Sequence, residues 1–278
     1  MSTSLPPDAL DPTVLSELVG DGDVKSCCIA LYEHPAIRWL LGDELHPGGA
    51  ATTRRALELI GARPGERLLD IASGQGDSSL LAAREFGCAV TGIDYRPTGV
   101  TDAERAADAA GVGDRVVFRV GDAEALPVGD ATFDAVLCEC SLCMFPDKPR
   151  AVAEIRRVLR PGGRVAIADV VADHHRLPAC LRGPLAAAAC VGTALARDDL
   201  LRELSSGGFR MLATQSCTQE AADMAERVYD RLRGARMLGI GRLTGSAQAI
   251  EEAIDMATAA RAAIAQGALD YAIFAAAR

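Results

Sequence analysis

The stretch Arg67-Leu68-Leu69-Asp70-Ile71-Ala72-Ser73-Gly74-Gln75-Gly76-Asp77 constrains the chain more than any other. An apolar strand runs into a turn of small residues and then into the helical pattern of Ser78 to Phe86. Small residues let a ligand approach the backbone of such a turn, and the start of the following helix presents unpaired N–H groups. Plain packing of a strand against a helix also uses a glycine turn, so the segments downstream decide between the two readings.

Cys88 to Tyr95 reads as a second apolar strand ending in Asp94, about twenty residues on, where a ribose-binding carboxylate is expected in a dinucleotide-type fold. Val116 to Ala123 reads as a third strand and ends in Asp122-Ala123. Acids at the carboxyl ends of successive strands suit an adenosine moiety. A nicotinamide enzyme competes for this pattern, but it must cradle a pyrophosphate and usually carries a complete G-x-G-x-x-G turn. Here the third glycine is missing, and Asp77 beside the turn would repel pyrophosphate while tolerating a cation.

From Arg63 to Val170 strands and helices alternate, which predicts a parallel sheet covered on both faces. Helices are expected over Ala51–Gly61, Thr98–Gly111 and Asp147–Leu159, and strands over Thr132–Cys138 and Arg164–Val170. Before this region, residues 1–10 read as disordered, and a short helix is expected from Asp11-Pro12 to about Val19. Val24, Cys27, Cys28, Ala30 and Leu31 give another helical stripe, which Pro35 is expected to interrupt before Ile37, Leu40 and Leu41 resume it. After Val170, helices are predicted over Leu181–Ala194, Asp198–Ser206, Glu220–Leu238 and Ser246–Ala265, with strands at Phe209–Ser216 and Asp270–Ala276.

The net charge of −9 argues against a nucleic-acid partner, since phosphate binding needs clustered Lys and Arg. No apolar run reaches the roughly 18 residues of a membrane span, and no cationic leader opens the chain, so a cytoplasmic protein with neither nucleic acid nor membrane as partner is expected. Nine cysteines then read as free thiols rather than a disulfide framework. Three of them, Cys138, Cys140 and Cys143, fall at the end of the fourth strand, where the carboxyl edge of an open sheet places its ligands. Four readings stand for them: small buried hydrophobes, a structural zinc site on Cys140-x-x-Cys143, a redox pair, or capture of a soft, thiophilic acceptor.

The strand-turn-helix with Asp94 and Asp122-Ala123, together with Leu126-Pro127 before Phe133-Asp134 and the run Leu159-Arg160-Pro161-Gly162-Gly163, resembles a class I S-adenosylmethionine-dependent methyltransferase. The resemblance implies a doubly wound, seven-stranded, mostly parallel Rossmann-like α/β sheet. It further implies an N-terminal helical cap over residues 1–60, a donor-binding core over 61–170, and a C-terminal part, 171–278, that completes the sheet and carries acceptor-site helices. The cap is expected to act as a lid. The implied cofactor is S-adenosylmethionine, held by Asp70, Ala72, Ser73, Gly74, Gly76, Asp94, Tyr95, Asp122, Ala123, Cys138 and Glu139. Ala72 departs from the glycine usual in that family.

Cys138 to Lys148, the strand ending Ala168-Asp169-Val170, and Cys190-Val191-Gly192-Thr193-Ala194-Leu195 are similar in order and spacing to arsenite methyltransferases. That resemblance implies trivalent arsenic as substrate, bound by Cys140 and Cys190 as thiolates, with Cys143 and, from the Cys27-Cys28 pair, Cys28 as further candidates; no resident metal is implied. Cys138-Glu139-Cys140 stands where that family has Ser-Asn-Cys. The alternative is a small-molecule methyltransferase of the quinone or natural-product type, in which the cysteines line the site and Glu139 or His46 acts as base. A non-catalytic donor-binding protein is the third class.

Overall fold

The computed structural model describes residues 34–42, 44–183, 186, 189–240 and 247–278. The expected helices between Asp11 and Leu31, and with them Cys27 and Cys28, lie outside the described residues.

Seven strands form one sheet in the order β3-β2-β1-β4-β5-β7-β6: β1 (Arg67–Ile71), β2 (Ala89–Asp94), β3 (Val116–Val120), β4 (Phe133–Glu139), β5 (Leu159–Ala172), β6 (Arg210–Ser216) and β7 (Leu269–Ala277). The pairs β1–β2, β2–β3, β1–β4 and β4–β5 are parallel, and β6–β7 is antiparallel. A doubly wound, mostly parallel α/β sheet is therefore what the alternating pattern builds. The central strands are buried almost throughout, which is why Leu68-Leu69 and Ala135-Val136-Leu137 are continuous apolar runs rather than alternating ones.

The chain divides into two compact units. One comprises residues 49–169, 197–216 and 272–278 and holds most of the sheet. Its helices are α2 (Gly49–Leu59), α3 (Asp77–Glu85), α4 (Pro97–Ala109), α5 (Lys148–Val158) and α6 (Arg197–Ser206), preceded in the chain by α1 (Pro35–Leu41) of the other unit. Helix α5 starts where Asp147 accepts the Arg150 N–H at 3.0 Å and ends in Arg156-Arg157, in line with its dipole. Between α5 and the body of β5 the register jumps from Phe133↔Leu159 to Ala135↔Arg164, so the Pro161-Gly162-Gly163 turn stands out as a bulge.

The other unit takes residues 1–48, 170–196 and 217–271. In it, α1 packs with α7 (Thr218–Met237) and α8 (Ala247–Ala265) around Ala36, Leu40, Leu232, Ala235, Ile250, Ile254 and Ala257. Arg231 donates to the carbonyls of Trp39 and Leu40, satisfying the last turn of α1. Pro35 stands in the first turn of α1, which His34 caps with Nδ1 accepting the Ala36 N–H at 3.2 Å, and Ile37, Leu40 and Leu41 lie on that helix; the stripe before Pro35 lies outside the described residues.

Of the helix expected over Leu181–Ala194, the described residues show a 3-10 turn at Ala179–Leu181, a helical Ala186 and turns at Ala189–Cys190. Cys190 reverses the chain with φ +66°, and the Gly192 N–H returns to the Ala186 carbonyl, short of the expected end at Ala194. Among the described residues no helix is long and apolar enough to cross a membrane.

Candidate active site

The turn after β1 owes its shape to Ala72 at φ +58°, Gly74 at +57° and Gly76 at +87°. Its two glycines do different work. A methyl on Gly76 would lie 2.7 Å from Cζ of Phe118, so this glycine is required by the packing of α3 on the sheet. On Gly74 the nearest neighbour would be Arg96 Nη2 at 3.9 Å, so its open side is available for a close approach to the backbone. Ser73, just before Gly74, keeps its hydroxyl oxygen buried without a hydrogen-bond partner.

Carboxylates ring this turn. Asp94, at the end of β2, accepts the Gly74 N–H through Oδ2 at 2.8 Å, while its Oδ1 accepts the backbone N–H of Arg96 at 2.9 Å and its Nε at 3.1 Å. Asp70, in β1, is almost fully buried and accepts the Ser79 hydroxyl at 2.6 Å. Burial pushes its carboxyl up to about 7, and the negative fields of Glu139, Asp94 and Asp77 add to the rise against the Ser79 bond. Glu139, the last residue of β4, accepts from Ser78 at 2.6 Å and from Thr53 at 3.1 and 3.2 Å. At the end of β3, Asp122 folds back to accept the Glu124 N–H at 2.9 Å beside buried Ala123, and the Gly121 N–H donates to the Asp94 carbonyl, so the two acid-bearing strand ends adjoin. Tyr95 is half exposed.

Around Glu139 the three thiols diverge. Cys138 is fully buried, shares a hydrogen bond with the Ser141 hydroxyl at 3.1 Å, and burial drives its thiol far above the ordinary range, so it stays protonated. Cys143 is buried in the 3-10 turn Leu142–Met144, its N–H donating to Asp169 at 2.9 Å. Cys140 is partly exposed and stands at φ +49°, its N–H donating to the Ala168 carbonyl at 2.7 Å. Cys190, in the other unit, is buried and likewise left-handed. In that unit, too, the His46 ring stacks on Tyr271 at 6.3 Å. Among the described residues no three His, Cys, Asp or Glu side chains are grouped to hold a metal ion.

Sequence reasoning missed Thr53, Ser78, Ser79 and Arg96. The serines carry a readable signal, standing in the first turn of the helix after the glycine turn, and Arg96 follows the ribose-position acid by two residues. Thr53 carries none.

A pyrophosphate fits this cradle poorly, because each added negative charge faces Asp70, Asp94 and Glu139. A ligand with cationic groups and a diol fits it: carboxylates for the charge and for hydroxyls, an open backbone at Gly74, and the unpartnered Ser73 hydroxyl.

Residues 69–167 match the family model described as "Methyltransferase domain". An arsenite methyltransferase of Halobacterium salinarum is 38% identical over 148 residues, which is 52% of this chain and 38% of that protein. The 27-O-demethylrifamycin SV methyltransferase of Amycolatopsis mediterranei is 32% identical over 218 residues, covering 71% of this chain and 78% of that one. The chain belongs to the class I S-adenosylmethionine-dependent methyltransferases. Among solved structures, the [4+2]-cyclase SpnF shares this methyltransferase fold with a TM-score of 0.75 at 24% identity, over 92% of this chain and 97% of that one. The methyltransferase family uses S-adenosylmethionine, whose sulfonium, ammonium and ribose are the cations and diol that the cradle suits. The match to the Halobacterium relative spans well under half of that protein's length.

Proposed function

We propose that the chain transfers a methyl group to a soft, thiolate-bound trivalent metalloid such as arsenite, with Cys140 as a thiolate ligand. When bound, S-adenosylmethionine supplies an electrophilic methyl carbon on a sulfonium. Asp94 then accepts from the ribose hydroxyls, Asp122-Ala123 flanks the adenine, and Asp70 and Glu139 supply negative charge for the cationic end. Gly74 offers its backbone for close approach.

The observation that carries the acceptor assignment is Cys140 itself. Of the three thiols at the end of β4 and just after it, it is the one that is not buried, and it is held in a left-handed backbone that glycine would adopt without strain. Strained non-glycine residues cluster where function demands them, and Ala72, Cys140 and Cys190 are three of the four in left-handed conformation among the described residues. Thiolate sulfur is the preferred ligand for a soft metalloid, and thiolate ligation leaves its lone pair as the nucleophile. Methyl transfer to that lone pair releases a neutral thioether and needs collinear positioning rather than a base.

A second reading, transfer to a hydroxyl of a natural product with Glu139 as base, is supported by the long match to the rifamycin methyltransferase. Incubating the purified protein with labelled donor and either arsenite or a panel of phenols and polyketide alcohols separates the two. In the metalloid case, Cys140→Ser abolishes arsenite binding and methylation; unchanged activity in that variant rules that case out.

A further inference from the structure

Helix α2 buries two threonines, and a buried hydroxyl is costly unless bonded. Thr52 is answered by Arg55 Nη2 at 3.1 Å. Thr53 has a different partner: its Oγ1 lies 3.1 and 3.2 Å from the two carboxylate oxygens of Glu139, against 3.4 Å from the Gly49 carbonyl of its own helix. A threonine hydroxyl carries one proton, and the shorter, charge-assisted bonds to Glu139 claim it. Ser78, from the first turn of α3, donates to Glu139 Oε2 at 2.6 Å and lies 3.4 Å from Thr53 Oγ1. One carboxylate thus gathers hydroxyls from two helices, 86 and 61 positions away in the chain.

The sheet register says what this carboxylate faces. Ile71 pairs with Ile93 on one side and Cys138 on the other, so Ala72, Asp94 and Glu139 are the next residues on three adjacent strands. Asp94 and Glu139 therefore flank the glycine turn, two strand spacings or about 10 Å apart. A donor whose ribose rests on Asp94 and whose chain crosses the turn brings its other polar end, the α-amino acid with its ammonium, toward Glu139. A glutamate side chain left free loses several rotors on binding, whereas one already held by hydroxyls does not.

We propose that Thr53 and Ser78 are positioning residues that pre-set the Glu139 carboxylate for the ammonium of the donor's amino-acid end. The proposal rests on the donor site described under the proposed function and adds to it the hydroxyl pair and the part of the donor that the pair serves. Helix α2 then senses the amino-acid end of the donor and is indifferent to its nucleoside.

Two ligands that share the nucleoside and thioether but differ in the amino-acid end test this: S-adenosylhomocysteine, and 5′-methylthioadenosine, which lacks that end. Calorimetric titration of the full chain gives both dissociation constants. In Thr53→Val, which keeps the shape and removes the hydroxyl, S-adenosylhomocysteine binding weakens about tenfold while 5′-methylthioadenosine stays within about twofold of wild type. Thr53→Ser restores the difference, and Ser78→Ala reproduces the selective loss should the valine variant not fold. In a Glu139→Gln background, Thr53→Val has no further effect on the ratio. Equal weakening of both ligands, or no change in either, overturns the proposal while leaving the donor site standing. Wild-type protein that binds neither ligand overturns the donor assignment itself, and this proposal with it.

Discussion

The Gly74 amide donates to Asp94 Oδ2 at 2.8 Å, which ties the open turn after β1 to the acid that ends β2. The bond fixes Oδ2 against the turn and leaves that oxygen a further lone pair for a ligand hydroxyl, while Oδ1 already accepts twice from Arg96. Asp94→Ala removes both the proposed ribose acceptor and this tie. S-adenosylmethionine affinity should fall by roughly 2–4 kcal/mol, the worth of a charge-assisted hydrogen-bond pair. An unchanged dissociation constant by calorimetry contradicts the assignment.

The two glycines of the turn should separate stability from binding. Gly76→Ala forces a methyl against Phe118 and a left-handed backbone on alanine, and should destabilise the fold by about 2–4 kcal/mol in urea unfolding. Gly74→Ala meets open space and should cost about 1 kcal/mol, yet weaken donor binding at least about tenfold because the methyl occupies the approach to the backbone.

Asp70 links the site to pH. Its folded-state carboxyl titrates at about 7 against an ordinary 3.8, so the folded state holds this proton more tightly than the unfolded chain does. The contribution to stability is complete below the unfolded value and is lost as the pH rises toward and through 7. Ligand-free protein should therefore lose up to about 4 kcal/mol from this group between pH 4 and 8. Asp70→Asn should flatten that part of the profile and weaken the cationic donor, both measured by urea titrations at stepped pH with and without S-adenosylmethionine.

Cys140 stands where glycine would be unstrained. Cys140→Gly should raise stability by about 0.5–1 kcal/mol, the relief of the left-handed backbone less the added freedom of the unfolded chain, while eliminating the proposed arsenite binding. Cys138→Ala, which removes a buried protonated thiol, should leave arsenite binding intact and lower the melting temperature instead.

Arg231 serves the helical unit by capping the carbonyls of Trp39 and Leu40. Arg231→Met keeps the apolar stem and removes the donors, and should cost about 1–3 kcal/mol. Trp39, the chain's one tryptophan, reports the loss directly in its fluorescence on denaturation.

The order of strands and helices, the glycine turn and the acids at Asp94 and Asp122 were all legible in the amino-acid sequence, because each is a local pattern. A strand, a tight turn and a capped helix are set by neighbours within a few residues, and the parallel sheet follows from their alternation. The same locality overran at Leu181–Ala194, where an alanine-rich composition favours helix and Ala186 is helical, but the left-handed Cys190 turns the chain before Ala194. Which thiol of the trio is buried, which glycine is demanded by packing and which by open approach, and the meeting of Thr53 and Ser78 on Glu139 were decided only in three dimensions. Those outcomes depend on desolvation and on partners brought together by closure of the sheet, and nothing in Thr53's own surroundings in the chain distinguishes it from a helix threonine that bonds its own backbone.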